Sequence, residues 1–376
     1  MESKINYVSL NEISTIQTGK KDANYGDKGG EYPFFTCADK PILSPTYSFD
    51  GESIILPGNG ANVGMVFYHV GKFEAYQRTY VLNNIKCNSR YLFHHLSAYW
   101  KKFNLSKQFG SATNYIRMQN FLDYTIPLPP IASQRTIANI LDKADEIIRK
   151  RKEAIALTEQ LQKSIFLDMF GDPVINPKGW EKVKLAKISN IQGGLQVTKK
   201  RESNPIEVPY LRVANAYRDS LNLNQIKTIF VTQQELNKTS LKKGDILIVE
   251  GHGNKTEIGR SCVWDDSISN CVHQNHLIRV RVDDNIAESI YVSNFLNSIG
   301  GRSQLIKLGK TTSGLNTINT SNVKGIEILL PPIKIQKKYI TIQETIFQYI
   351  QKLNQQQKES ENLFNSLLQK AFKGEL

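Results

Sequence analysis

Two stretches decide the reading of this chain: Pro127-Leu128-Pro129-Pro130-Ile131-Ala132-Ser133-Gln134 and its echo Leu330-Pro331-Pro332-Ile333-Lys334-Ile335-Gln336. In each, a double proline stiffens the backbone and sets the entry of a helix, because proline locks φ and suits the first helical turn. Past the first, Ile137, Leu141, Ala144, Ile148, Ile155, Leu161 and Ile165 recur at spacings near three and four or their sum. Charges of both signs fill the other faces. That period predicts a helix with a coiled-coil-like seam from Ile137 to Phe170, a rod of roughly 50 Å at about 1.5 Å per residue. Gly171-Asp172-Pro173 stops it. Past the second double proline, Tyr339, Ile342, Ile346, Leu353, Leu363 and Leu367 mark a matching stripe. Gln356 and Ser360 interrupt that stripe close to where Arg151 and Thr158 interrupt the first. Such polar positions either fix the register of a helix pair or simply wet the middle of the helix.

The segments before the two helices also repeat. Val8–Gly19 (VSLNEISTIQTG) and Val183–Gly194 (VKLAKISNIQGG) agree at seven of twelve positions. A basic loop follows each, at Lys20-Lys21 and at Lys199-Lys200-Arg201. Strand-forming runs at Tyr32–Thr36 and Val208–Val213 match. So do Gly51–Pro57 and Gly244–Ile248, and a hairpin turn at Gly58-Asn59-Gly60 matches Gly251-His252-Gly253. Val63–His69 reads as the returning strand. Gln274 falls where Gln77 does, each before a strand. The aromatic run Arg90–Phe103 predicts a helix matched by Tyr291–Ile299. Near the helices the offset becomes constant, pairing Asn114 with Asn316, Asn120 with Asn322, Gln134 with Gln336 and Phe170 with Phe372. The unit is too long for a solenoid repeat. The expected architecture is α+β: two mixed α/β domains (1–130 and 173–332) separated by two long antiparallel coiled-coil helices (131–172 and 333–376), related as a pseudo-two-fold internal repeat.

Composition narrows the function. The chain has 376 residues and is 40% hydrophobic, enough for two or three domains with real cores. Its formal charge of +13 points to a polyanionic partner. By segment the net charge is +3 over 1–130, zero over 131–172, +7 over 173–332 and +3 over 333–376, so the globular segments carry most of it. Cys37, Cys87, Cys262 and Cys271 form no CxxC pair, which suits a reducing compartment. No signal peptide opens the chain and no apolar run is long enough to span a bilayer, so a cytoplasmic, membrane-free setting is expected.

On these residues the chain resembles the specificity subunit of type I restriction–modification systems. The resemblance covers nearly the whole length. It is carried by the Pro127–Gln134 stretch leading into a long helix, by Leu161-Gln-Lys-Ser-Ile-Phe-Leu-Asp-Met-Phe-Gly-Asp-Pro173, and by the closing Leu368-Gln-Lys-Ala-Phe-Lys-Gly-Glu-Leu376. The second helix departs from the pattern in being richer in Gln and Asn. The resemblance implies that each globular segment is a target-recognition domain for one half of a split site in double-stranded DNA. It implies that the helices hold the domains apart and dock two modification (methyltransferase) subunits, with restriction/translocase subunits joining that core. Adenine methylation and cleavage then belong to the partners, which are expected to use S-adenosylmethionine, ATP and Mg; no cofactor is expected on this chain.

The residues fit that role. Lys and Arg on loops contact phosphates, and Asn, Gln, Arg, Ser and Thr read base edges. Candidates in the first domain are Lys20, Lys21, Asn24, Tyr25, Asn59, Asn62, Gln77, Arg78, Ser111, Thr113, Asn114 and Arg117. In the second they are Lys199, Lys200, Arg201, Arg212, Asn215, His252, Asn254, Lys255, His273, Gln274, Asn275, Lys310, Thr311, Thr312 and Asn316.

Other chemistry finds little footing. Gly58-x-Gly60-x3-Gly64 is a hairpin turn and not a dinucleotide fingerprint, and no P-loop is present. Cys262, Cys271, His273 and His276, with His252 nearby, match no standard zinc spacing and have no counterparts in the first domain. His94-His95 on the aromatic helix reads as structural. Asp245 and Glu250 flank a strand as a nuclease pair might, but no Lys stands two residues after Glu250. No Asn/Asp-Pro-Pro-aromatic methyltransferase motif occurs. A non-catalytic DNA-recognition subunit is therefore the leading reading. A stand-alone DNA-modifying enzyme or nuclease, and a coiled-coil scaffold, are the alternatives.

Overall fold

The computed structural model describes residues 6–110, 113–312 and 315–376, with side chains omitted at 310–312. The chain forms two compact units, Met1–Ile155 with Leu353–Leu376, and Ala156–Lys352. Each unit therefore holds one globular segment and a part of both long helices. Among the described residues no helix is long and apolar enough to cross a membrane.

In the first unit, Ser53–Pro57 (SIILP) is buried along its whole length and forms the inside of an antiparallel sheet. The strand order is Thr15–Thr18, Thr79–Asn83, Ser53–Pro57, Phe67–His69. A second sheet places Tyr32–Phe35 between Ile42–Ser44, antiparallel, and Glu74–Ala75, parallel. Phe35, Phe49, Ile55, Phe73 and Val81 fill one apolar cluster of this unit. Tyr7–Ser9 pairs with Thr125–Pro127, which brings the double proline beside the start of the segment. The expected helix runs Ser89–Asn104; Asn88 caps it by accepting from the Tyr91 amide at 2.8 Å. Its apolar face buries Tyr91, Leu92, Leu96 and Trp100. The returning strand is shorter than expected because 61–64 make a turn first.

The second unit repeats the plan. Its four-stranded sheet runs Ser189–Gly193, Leu277–Val282, Ile246–Val249, Ser261–Val263, in the same order and antiparallel sense. Ile206–Leu211 again sits between an antiparallel neighbour, Lys227–Val231, and a parallel one, Val272–His273. Glu181–Lys184 pairs with Glu327–Leu330. This unit also carries a hairpin of Ala216–Tyr217 and Ser220–Leu221 and a helix Ile299–Leu308 after Ser289–Asn297.

The central helix spans Ile131–Phe170 and the C-terminal one Ile333–Lys373. Each starts directly after its double proline, and the reason is visible. Buried Gln134 accepts from the Asn88 amide at 2.9 Å and donates to the Pro129 carbonyl at 2.7 Å. Buried Gln336 does the same with the Glu288 amide, 2.9 Å, and the Pro331 carbonyl, 2.7 Å. Tyr91 donates to the Pro127 carbonyl and Tyr291 to the Leu329 carbonyl, both at 2.7 Å. The far end of each helix meets the other repeat's tyrosine: Phe372 packs on Tyr91 in the first unit, with ring centroids 5.4 Å apart, and Phe170 on Tyr291 in the second, at 4.5 Å.

The seam is a strict heptad. Central-helix positions 137, 141, 144, 148, 151, 155, 158, 162, 165 and 169 face inward, as do 339, 343, 346, 350, 353, 357, 360, 364, 367 and 371 of the C-terminal helix. The pairing is antiparallel within each unit. In the first, Ile137 and Leu141 share a cluster with Phe372 and Phe364, while Arg151 donates to Gln356 at 3.0 Å. In the second, Phe170 packs on Tyr339 and Gln162 donates to Gln343 at 2.6 Å. Two expected seam residues are corrected: Leu161 and Leu363 are 52% and 59% exposed. The 3.5-residue period puts Gln162 and Phe364 inward instead. Likewise Gln343 takes the buried position next to half-buried Ile342.

Replacing Gln134 with Leu leaves the Asn88 amide and the Pro129 carbonyl without partners. The expected loss is about 1–3 kcal/mol of stability, read from chemical denaturation; an unchanged midpoint would refute the role given to this side chain.

Candidate nucleic-acid interface

In the first unit, three loops leave the same end of the four-stranded sheet: the one after Thr15–Thr18, the one after Ser53–Pro57, and the one before Thr79–Asn83. Backbone bonds join them. Gln77 N donates to Lys21 O at 2.9 Å, and Gly58 N to Arg78 O at 2.9 Å. The 109–117 segment is tied on by Gly60 N to Asn114 O, 2.8 Å, and Ile116 N to Gly58 O, 2.9 Å. All four candidate loops thus meet at one end of the sheet. The glycine closing the repeated opening run is required there. A Cβ on Gly19 would overlap the Ala75 carbonyl, and one on Gly194 would overlap the carbonyls of His273 and Gln274.

The second unit makes the same stitches. Asn275 N donates to Leu195 O at 2.8 Å, Glu250 N to His276 O at 2.9 Å, and Ile318 N to Glu250 O at 2.9 Å. Gln274 N to Leu211 O, 2.9 Å, brings in the 212–215 loop. These bonds correct the repeat by one residue. Gln77 corresponds to Asn275, not Gln274, and Gly58 corresponds to Glu250, not Gly251; Lys21, two residues after Gly19, likewise matches Leu195, one residue after Gly194.

The candidates divide by exposure. Lys20, Asn24, Gln77, Arg78, Thr113, Asn114, Arg117, Lys199, Lys200, Asn254 and Lys255 are exposed. Several are held in place: Arg117 stacks 4.4 Å over Phe109 and donates to the Tyr115 hydroxyl at 2.9 Å, and Lys21 lies 4.2 Å over the Tyr25 ring. Gln77 donates to Asp22 at 2.8 Å. Asn59, Arg212, Gln274 and Asn275 are half-buried. So are Asn62, which donates to the Cys37 carbonyl at 2.8 Å, and His252, whose Nδ1 accepts from Asn254 N at 3.0 Å. Arg201 is tied to Glu235 at 3.0 Å. Three candidates point inward. Asn215 accepts from Arg212 N and donates to the carbonyls of Asn222 and Gln225, shaping its own loop. Asn316 is largely buried and donates to the Gly253 carbonyl at 3.3 Å. His273 is fully enclosed and so cannot touch a ligand from its place in the strand. Ser111 lies outside the described residues, as do the side chains of Lys310, Thr311 and Thr312, whose backbone forms a strand.

Two segments escaped the sequence reading. The 36–40 loop, with exposed Asp39 and Lys40, is the counterpart of 212–215, since Tyr76 N donates to Phe35 O as Gln274 N does to Leu211 O. The repeat would have revealed it. Arg218, at the tip of the Ala216–Leu221 hairpin, has no counterpart among the described residues of the first unit and left no signal.

Cys262 and Cys271 lie in an apolar cluster, where burial pushes both thiols up to about 12. Asp245 is fully buried; Arg281 holds it at 2.6 Å, and it also accepts from Lys242 N at 2.8 Å. These contacts account for the two cysteines and for Asp245.

The family model described as "Type I restriction modification DNA specificity domain" matches residues 2–157 and 177–361, and the chain belongs to that family. The chain is similar to the specificity subunit of the type I restriction enzyme EcoDI of Escherichia coli, 36% identical over 41% of this chain and 33% of that one. It is also similar to that of StySPI of Salmonella potsdam, 28% identical over 74% and 64%. It thus spans from a third to under two thirds of the length of these relatives. The crystal structure of the type I restriction–modification S subunit from M. genitalium matches in fold, with a TM-score of 0.62 and 15% identity over 99% of this chain and 97% of that one.

Burial lowers the pKa of His95 to about 3; the same cause, with help from Arg279, lowers His273 to about 4. Both rings stay neutral when folded but take a proton near pH 6.5 when unfolded. Stability is then full above pH 6.5 and falls as the pH drops toward those values, by at most about 1.4 kcal/mol per pH unit for each ring. Denaturant midpoints between pH 7 and 5 check this, with Phe at either position expected to flatten the decline.

Proposed function

We propose that this chain is the DNA-specificity subunit of a type I restriction–modification complex, each globular unit reading one half of an asymmetric, bipartite site in double-stranded DNA. One observation carries the reading. The same sheet end is built twice, with the same backbone stitches, yet the exposed side chains differ: Gln77, Arg78 and Arg117 in one unit, Lys199, Asn254 and Lys255 in the other. A shared scaffold with different, mainly basic and amide-bearing loops suits two unlike half-sites. Cationic loops supply affinity and register, and amides and guanidiniums on a fixed frame discriminate base edges.

The helices act as spacer and dock. In each unit an apolar side chain from each helix stands exposed at the same heptad position, one residue before the seam: Ile147 and Leu363 in the first, Leu161 and Tyr349 in the second. Equivalent patches, one set per unit, favour two copies of a modification subunit. The restriction/translocase subunits join that assembly. S-adenosylmethionine, ATP and Mg act on the partners, and this chain recognises DNA without catalysing a reaction. The setting is the cytoplasm, where its DNA lies.

Methylome sequencing of a host carrying the chain with its modification subunit is expected to show an interrupted, asymmetric adenine motif. Exchanging residues 1–126 for those of a relative should change one half-motif and leave the other; a motif unchanged by the exchange would remove the assignment. Deleting one heptad from each long helix, 148–154 and 350–356, shortens each by about 10 Å and should close the half-site gap by about three base pairs. An unchanged gap in an active complex would end the spacer role.

A further inference from the structure

The 252–256 loop of the second unit, exposed from 253 to 256, rests on a cluster of charges that has no counterpart among the described residues of the first unit. Arg302, from the helix Ile299–Leu308, donates to the carbonyls of Thr256 and Ile258. Arg260 donates to Val213 O at 3.1 Å and Ala216 O at 2.8 Å, and pairs with Glu257 at 3.1 Å. Arg218, from the extra hairpin, reaches Thr256 O at 3.3 Å and Glu257 at 3.5 Å. Three guanidiniums thus converge on a loop base where Glu257 pairs with two of them. Partial burial works against the Glu257 carboxylate, but the bond from Arg260 and the charges of Arg218 and Arg260 outweigh it and hold its pKa below the usual carboxylate range. The cluster also joins two candidate reading segments, since Arg260 grips the 213–216 backbone on one side and Glu257 beneath the 252–256 turn on the other. Without the carboxylate, the neighbouring guanidiniums repel and the turn keeps only their bonds to its backbone carbonyls.

We infer that Glu257 is a positioning residue for reading of the second half-site, locking the 252–256 turn to the 212–218 segment through Arg218 and Arg260. The inference rests on the DNA-specificity reading. An amide in place of the carboxylate keeps the shape and removes the charge, so base discrimination should loosen in one half-site only. Each mismatched pair in such a site typically costs enough to separate targets by about tenfold or more.

The test is methylome sequencing with the full chain and its modification subunit, wild type against Glu257→Gln, joined to hydrogen exchange on the assembled complexes. Expected are an intact first half-motif, methylation at sites with one mismatch in the second half raised roughly tenfold, and faster exchange at amides 253–256. A second half-motif as strict as wild type, or loosening of both halves alike, overturns the inference. If Glu257→Gln yields no folded complex, Arg218→Gln decides. Its side chain is partly exposed, and faster exchange at 253–256 with a looser second half supports the inference, whereas unchanged exchange overturns it. A wild-type complex without a bipartite motif instead refutes the DNA-specificity reading itself.

Discussion

A buried glutamine satisfying two backbone groups at each helix entry is the constraint on which the rest depends. A long helix that starts against a folded sheet brings polar backbone into a dry place, and the prolines before it supply no N–H to help. Gln134 and Gln336 resolve this with one amide each, bonding the Pro129 or Pro331 carbonyl on one side and the first turn of the domain helix on the other. An unpaired amide or carbonyl there would be costly. The bond therefore fixes where each helix leaves its segment. Tyr91 and Tyr291 repeat the logic with their hydroxyls, and burial raises the pKa of both, keeping them neutral donors.

Around these joints the two units differ where function allows and agree where geometry demands. Strand order, sheet sense and the stitches between loops are shared. Phe35, Phe49 and Phe73 of the first unit are matched by Leu211, Leu241 and Cys271 of the second, which pack with buried Trp264; nearby, Arg279 reaches Asn190 at 2.9 Å and Gln192 at 2.8 Å. The first unit also ties its domain helix to the central helix by charge, with Arg90 paired to Asp142; His94, whose pKa burial lowers, hydrogen-bonds the same carboxylate at 2.7 Å. The second uses neutral groups, Asn294 donating to the Tyr339 hydroxyl at 2.7 Å.

Much of the fold was legible because it is written twice. The double prolines, the matched glutamines and the final phenylalanines align at a constant offset, and the structure gives each pair an identical job. The seam was legible only in part. Leu161 and Leu363 look like core residues by composition, but a strict 3.5-residue period passes beside them and selects Gln162 and Phe364. The loops were the least legible. Whether Asn215 faces a ligand or its own backbone depends on a turn that no periodicity announces, and His273 is hidden because a parallel strand carries it inward. The one-residue shift between the repeats became visible only through backbone bonds.

The seam's polar layer has a further consequence. Gln162 meets Gln343 in the second unit, whereas the repeat-equivalent positions in the first are Leu141 and Phe364. Amide is thus matched with amide and apolar with apolar. Were the first half of the chain to pair with a copy of itself in the same antiparallel register, Gln162 would face Leu141; a paired second half would set Gln343 against Phe364. Each such homodimer buries two amides with no partner, a penalty the covalently joined halves avoid. The duplication has therefore drifted just far enough that each half prefers its sister to its twin.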